Sequence, residues 1–394
     1  MKPFQLHGWP PLRLGPGVRR TIATTVARWG KRCALVTGGS HLQASPHWDE
    51  LQADFIAAGV IFHPISVSQE PSPDQIDTAC SAMRAFEAQT VVAIGGGSVL
   101  DAGKAIAAML PQKVDSVRTY LEGLPGSIPF PGTHLPWIAV PTTSGTGSEM
   151  THNAVLTQLG VTGFKRSLRH PNLIACEVFL DPELMLGCPP GISAACGMDT
   201  LTQLLEPYLS PRCSPPLTAL IEDALTKVGK SLPKVCDPRT DSLADRSHMA
   251  YASAISGVAL SNAGLGIVHG IASPLGALLP IPHGVICGRT VAAATSVNTK
   301  ALAQESPETS KGVLHRLARA AFCLTGQPCA NIHEGANHLG QYLKLLTHTL
   351  PIPPLPSFGF AAPDWTTIAA KTSNRDNPVQ LSHHQICTIL EESW

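Results

Sequence analysis

Between Arg32 and about Leu180, short apolar runs of strand length alternate with stretches of helical spacing: CALVTGG (33–39), GVIFHPIS (59–66), TVVAIGGG (90–97) and LPWIAVPTT (135–143). This alternation predicts strand–helix–strand units around a mostly parallel sheet. After Asp181-Pro182 the pattern changes. ISAACGMDTLTQLLEPYLS (192–210) and the long run 247–279 carry apolar residues at helical period, which predicts a helical second half. The change of period puts a boundary near 184. A Rossmann-like α/β domain is expected over 1–184 and an all-helical domain over 185–394. The proline clusters at 211–216 and 351–356 lie in apolar surroundings and read as loop punctuation.

Composition narrows the function. A chain of 394 residues with 44% apolar and 14% charged side chains has material for two buried cores and little of the polarity of a disordered segment. Basic and acidic side chains balance at 28 each, so there is no electrostatic footprint for nucleic acid or an anionic membrane. Small-molecule chemistry is the class left. The eleven cysteines are scattered, odd in number and never spaced CxxC, which reads as reduced core thiols. The opening MKPFQLHGWPPLRLG has no apolar h-region, and no run reaches the roughly 18 to 20 apolar residues of a membrane helix. A cytoplasmic location is expected.

Candidate chemistry begins at the third run. The β-branched stretch Thr90–Ile94 leads into Gly95-Gly96-Gly97-Ser98 and then the helical VLDAGKAIAAML. Glycines let a backbone approach a pyrophosphate, and the free N–H groups of a helix start favour its charge. Alone, GGGS is equally a tight strand-to-helix turn. Some forty residues later, however, WIAVP opens into Thr142-Thr143-Ser144-Gly145-Thr146-Gly147-Ser148-Glu149, a loop dense in hydroxyls and backbone donors and flanked by apolar residues. Two such loops suit a dinucleotide better than one.

Together GGGSVLDAGKAIA and VPTTSGTGSEMTHNAVL resemble the paired cofactor signatures of the iron-containing, metal-dependent alcohol dehydrogenases, whose fold is that of dehydroquinate synthase. The resemblance continues through GFKRSLRHP, DPELM, CGMDTLTQLLEPYLS, GLGIVHGIASPLG, IPHG and NPVQLS, nearly the whole chain. It implies an NAD(P)-dependent alcohol dehydrogenase or aldehyde reductase, with a small alcohol or aldehyde as substrate and a homo-oligomer, a dimer, as assembly. It places Gly96, Gly97, Ser98, Thr142, Thr143, Thr146 and Lys165 at cofactor-contacting positions, with Asp101 on the helix behind the glycine turn.

The same resemblance implies a divalent metal, Fe2+ or Zn2+, held by Asp199, a residue four later, and two histidines. Asp199 and Gln203 share one helical face. His269 and His283, fourteen residues apart in VHGIASPLG and PIPHG, match the family context. Two departures stand out. Gln203 replaces the histidine of four-ligand members with a neutral amide, a poorer donor. Ser273, four residues after His269, stands where many relatives carry a proton-relaying histidine, so the relay expected here runs through Ser273, water and the nicotinamide ribose. The chemistry calls for the metal: it can lower the pKa of bound water from about 16 to about 7, and a comparable shift of a bound alcohol corresponds to roughly 12 kcal/mol. No side-chain base in the sequence replaces that. Three further readings stay open: a metal-independent reductase of the maleylacetate reductase type, which suits Gln203; a dehydroquinate-synthase-like lyase; and a non-catalytic binding protein.

Cofactor choice rests on the end of the first strand. NAD-preferring sites commonly place a carboxylate against the adenosine ribose 2′-hydroxyl, where it repels the phosphate of NADP. Here Val36-Thr37 runs into Gly38-Gly39-Ser40, and the next acidic residue is Asp49. Small neutral residues at 38–40 predict that NADP is accepted at least as well as NAD.

Overall fold

The computed structural model describes residues 3–160 and 163–394, and within these every side chain but those of Ser40 and Thr309. Its strands are β1 (Leu12–Leu14), β2 (Arg32–Thr37), β3 (Ile61–Ser66), β4 (Thr90–Gly95), β5 (Trp137–Pro141), β6 (Asn153–Gln158), β7 (Phe164–Arg169) and β8 (Glu177–Leu180). Six of them form one parallel sheet in the order β1-β8-β5-β4-β2-β3, while β6 and β7 pair as an antiparallel hairpin. The four apolar runs read from the sequence are β2, β3, β4 and β5.

Burial on both faces explains their composition, because a parallel sheet covered by helices has no solvent side. Every residue of β4 and β5 is buried. Val92 and Ile94 join Leu35, Ile138, Val140, Phe55 and Phe179 in the core on one face. On the other face lies the helix Gly97–Met109, held close by a glycine: a Cβ at Gly103 would sit 2.5 Å from the Cβ of Ala93. Edge strand β3 has only Phe62 and Ile65 half-buried and its other residues exposed, and its edge position tolerates Pro64.

The strand order reverses between β2 and β4. From β2 the chain crosses to β3 on one side and then returns to β4 on the other. Ligands of open parallel sheets bind outside the carboxyl ends of the strands at such a switch point. Gly38 follows β2 there and Gly96 follows β4.

Packing divides the chain into Gly8–Leu186 and a second unit of Met1–His7 with Gly187–Trp394. In the second unit the His7 N–H donates to Asn262 Oδ1 at 2.7 Å. In that unit the helix Pro190–Leu209 is buried on nearly all sides and packs against Pro215–Val235, Leu243–Ala263 and His283–Leu302. Among the described residues no single helix is long and apolar enough to cross a membrane. The described residues include all eleven cysteines and form no disulfide.

Candidate active site

The helical unit gathers the predicted donors. Asp199 sits mid-way along Pro190–Leu209, His269 in the first turn of Ile267–Leu278, and His283 at the first residue of His283–Leu302. Their ligating atoms, with the thiol of Cys287, all lie within 4.8 Å of one another. Glycines set the approach: a Cβ at Gly284 would meet the Ala195 carbonyl oxygen at 2.4 Å, and one at Gly288 the Cβ of Met198 at 3.0 Å. The helix carrying His283 and Cys287 therefore lies backbone to backbone on the helix carrying Asp199.

Hydrogen bonding fixes the direction of the donors. His269 Nδ1 is 2.6 Å from Glu206 Oε2, and Glu206 Oε1 accepts the Val268 N–H at 2.6 Å. Since a carboxylate only accepts, Nδ1 carries a proton, and in the neutral ring Nε2 presents its lone pair. That lone pair is 3.3 Å from Asp199 Oδ1, and His283 Nε2 is 3.7 Å from the same oxygen. Asp199 is 2% exposed, yet Oδ1 has no hydrogen-bond partner among the described residues. A buried carboxylate oxygen facing imidazole nitrogens without a hydrogen bond is unfavourable unless a cation joins them.

The electrostatics show the same demand for positive charge. Burial disfavours a charged His269, but the Cys287 thiol, Glu206 and Asp199 outweigh it and raise its pKa well above the ordinary value. Burial likewise works against an ionised Asp199, and the His283 and His269 rings still hold its carboxyl below the usual range. The pocket asks for positive charge. A divalent ion fits this donor set of carboxylate, two imidazoles and thiol.

Gln203 is buried one turn from Asp199, and its amide nitrogen donates to Ser256 Oγ at 2.9 Å. Ser273 is half-buried one turn after His269 on the same helix. Sequence reasoning missed Glu206 and Cys287. Their spacings, seven after Asp199 and four after His283, repeat the helical face of a ligand and were the available signal.

In the α/β unit the loops after β4 and β5 abut. The Thr142 N–H donates to the Gly95 carbonyl at 3.0 Å. A Cβ at Gly96 would meet Thr143 Oγ1 at 3.3 Å, and one at Gly97 Thr146 Oγ1 at 2.6 Å. Gly96, Gly97, Thr143 and Thr146 are therefore together, with Ser98 and Thr142 half-buried beside them. Gly96 caps the helix Gly97–Met109, whose first N–H groups face this turn. After β2, a Cβ at Gly38 would touch only Val99 Cγ2, at 3.7 Å, and one at Gly39 nothing within 4 Å. The side chain of Ser40 lies outside the described residues.

Asp101 and Lys165 have protein partners. Asp101 Oδ1 accepts from Ser148 Oγ at 2.5 Å and Oδ2 from the Val155 N–H at 3.1 Å, tying the helix to β6. Lys165 Nζ is 2.6 Å from Glu70 Oε1, and Thr157 Oγ1 donates to the other oxygen at 2.6 Å. Behind the loop, Lys104 is fully buried and donates to the Ser148 and Asn153 carbonyls at 2.8 and 2.7 Å. Burial lowers its pKa to about 8 and pushes that of Glu149 up to about 7.

Residues 10–182 match the family described as iron-containing alcohol dehydrogenase, and residues 193–394 the Fe-containing alcohol dehydrogenase family, C-terminal. The chain is 33% identical over 342 residues to 1-propanol dehydrogenase PduQ of Salmonella typhimurium, covering 83% of this chain and 85% of that protein. It is 40% identical over 217 residues to a protein of the same organism named "Probable alcohol dehydrogenase EutG", a match spanning 55% of this chain and about half, 53%, of that one. Among solved structures, the alcohol dehydrogenase from Oenococcus oeni is similar over 100% of both chains with a TM-score of 0.86 and 28% identity.

Proposed function

Since this chain belongs to the iron-containing alcohol dehydrogenase family, oxidoreductases that use a nicotinamide cofactor and a divalent metal, we propose that it interconverts a short alcohol and its aldehyde. In this reading Asp199, His269 and His283 hold the metal. The observation that carries it is the buried Asp199 Oδ1, facing two imidazole nitrogens without a hydrogen bond. The lyase and the metal-independent reductase are not favoured, because the relatives are alcohol dehydrogenases and the donors converge.

When bound, the metal supplies Lewis-acid polarisation of the substrate oxygen and the nicotinamide the hydride acceptor or donor. The chain's own residues do the rest. Glu206 holds the His269 ring with Nε2 unprotonated. The Ser273 hydroxyl, one turn from His269, passes the hydroxyl proton onward through water. Gly96, Gly97, Ser98, Thr142, Thr143 and Thr146 offer the donors for a pyrophosphate, and the open turn at Gly38 and Gly39 accepts NADP at least as well as NAD.

His283→Ala tests the assignment. It should remove bound metal and alcohol turnover together in a protein that keeps its helical circular dichroism. Stoichiometric metal in that variant refutes the ligand set. A panel of short alcohols and aldehydes, run with NADH and with NADPH, reads the substrate class.

A further inference from the structure

We propose that the Cys287 thiolate, in place of the Gln203 amide, is the fourth protein donor of the metal centre, giving an aspartate–histidine–histidine–cysteine set that selects a zinc-type ion over harder divalent ions. The inference rests on Asp199, His269 and His283 being metal ligands.

The distances carry it. Cys287 Sγ is 3.9 Å from His269 Nε2 and 3.7 Å from His283 Nε2. A tetrahedral ion with Zn–N near 2.0–2.1 Å and Zn–S near 2.3 Å implies nitrogen–sulfur edges of about 3.6 Å and nitrogen–oxygen edges of about 3.3 Å. The edges from Asp199 Oδ1 to the same nitrogens are 3.3 and 3.7 Å. These four edges lie within about 0.4 Å of those of a zinc-sized tetrahedron, and the donor atoms of all four residues lie within 4.8 Å of one another.

Why Cys287 is there follows from the helix. It lies four residues after His283, on the same face, and Gly284 and Gly288 let that helix lie close against Ala195 and Met198 of the helix that carries Asp199. A buried cysteine is ordinarily a small hydrophobe. Here, however, a fully buried thiol shares its surroundings with two imidazole nitrogens and a carboxylate oxygen that lacks a hydrogen bond. Gln203 stands elsewhere in the network, its amide nitrogen on Ser256, and its only ligating atom is a neutral oxygen.

On binding, the S–H bond of Cys287 is replaced by a sulfur–metal bond and the proton leaves to solvent, with no change of oxidation state. Thiolate in the set favours zinc and cobalt over manganese and magnesium, which take oxygen donors.

Cobalt(II) reports directly on such a bond. The metal-free full-length protein loaded with Co2+, without nucleotide, should show a near-ultraviolet thiolate-to-cobalt charge-transfer band at one cobalt per chain. The band should vanish in Cys287→Ser and persist in Gln203→Ala. Competition between Zn2+ and Mn2+ should show the zinc preference of Cys287→Ser reduced about tenfold or more, a difference of about 1.4 kcal/mol. Stoichiometric cobalt without the band in the unaltered protein, or a band that survives in Cys287→Ser, overturns Cys287 while leaving the other three ligands standing. Failure of the unaltered protein to bind cobalt or zinc overturns the whole site. Should Cys287→Ser fail to fold, the band in the unaltered protein decides, since no other cysteine is in the donor cluster.

Discussion

Replacing Glu206 with Gln separates orientation of a ligand from ligation itself. Glu206 touches no metal position. It accepts two N–H groups at 2.6 Å, one from the His269 ring and one from the Val268 backbone, and all three residues are buried. A glutamine keeps the shape but has one carbonyl oxygen, so its NH2 group faces one of the two donors. If the backbone donor is stranded, the folded state loses about 1–3 kcal/mol. If the ring donor is stranded, His269 moves its proton to Nε2 and loses the lone pair aimed at Asp199. Loss of such an outer partner typically weakens metal binding about 10- to 100-fold, equivalent to about 1.4–2.7 kcal/mol. The assay is titration of the metal-free protein with Zn2+ against a chromophoric chelator, alongside urea unfolding of the same sample. The expected result is a raised Kd with a stability loss in the stated range. A folded Glu206→Gln protein with unchanged zinc affinity refutes the orienting role and removes the argument that His269 Nε2 is a fixed lone pair.

Three other outcomes follow from the α/β unit. In Gly97→Ala the new methyl meets Thr146 Oγ1 at 2.6 Å, so Thr146 must turn away; cofactor Kd, read by nucleotide fluorescence, should rise about tenfold (about 1.4 kcal/mol) with metal content unchanged. Gly38→Asp has room, its Cβ only 3.7 Å from Val99 Cγ2, and should shift preference toward NAD; an unaltered protein favouring NAD by about a hundredfold in kcat/KM, about 2.7 kcal/mol, contradicts the expected acceptance of NADP. Glu149, raised by burial from 4.5 to about 7, binds its proton more tightly when folded, so the stability it contributes is complete below its unfolded pKa and lost as pH rises through 7. Roughly 3 kcal/mol is at stake, and Glu149→Gln should flatten the fall in urea midpoint between pH 5 and pH 8; an unchanged slope contradicts it.

The parts of the fold that were legible are those whose burial is written into consecutive residues. β4 and β5 are apolar at every position because both faces are covered, and this cannot be mistaken for a surface strand. β1 and β8, three and four residues long, fall below the length at which a period can be read. The β6–β7 hairpin was missed for another reason: only some of its residues are buried, and its Thr157 and Lys165 side chains bond Glu70 while its Val155 N–H bonds Asp101, contacts that no local pattern encodes.

The site divides in the same way. His269, His283 and Asp199, which the structure brings together, each sit in a local motif, and in the proposed cofactor turn strand, glycine and helix follow one another in the chain. Cys287 shares the face of His283 by helical phase alone, yet the same rule applies to any residue four from a ligand. What brings Cys287 to the proposed donors is the close approach of its helix to the one that carries Asp199, and that approach depends on Gly284, where a Cβ would sit 2.4 Å from the Ala195 carbonyl oxygen. A side chain there would push the helices apart and carry His283 and Cys287 away from Asp199 together, while every donor stayed in the sequence. The proposed metal site is therefore encoded twice: the donor types in the residues that bear them, and their separation in glycines outside the donor set.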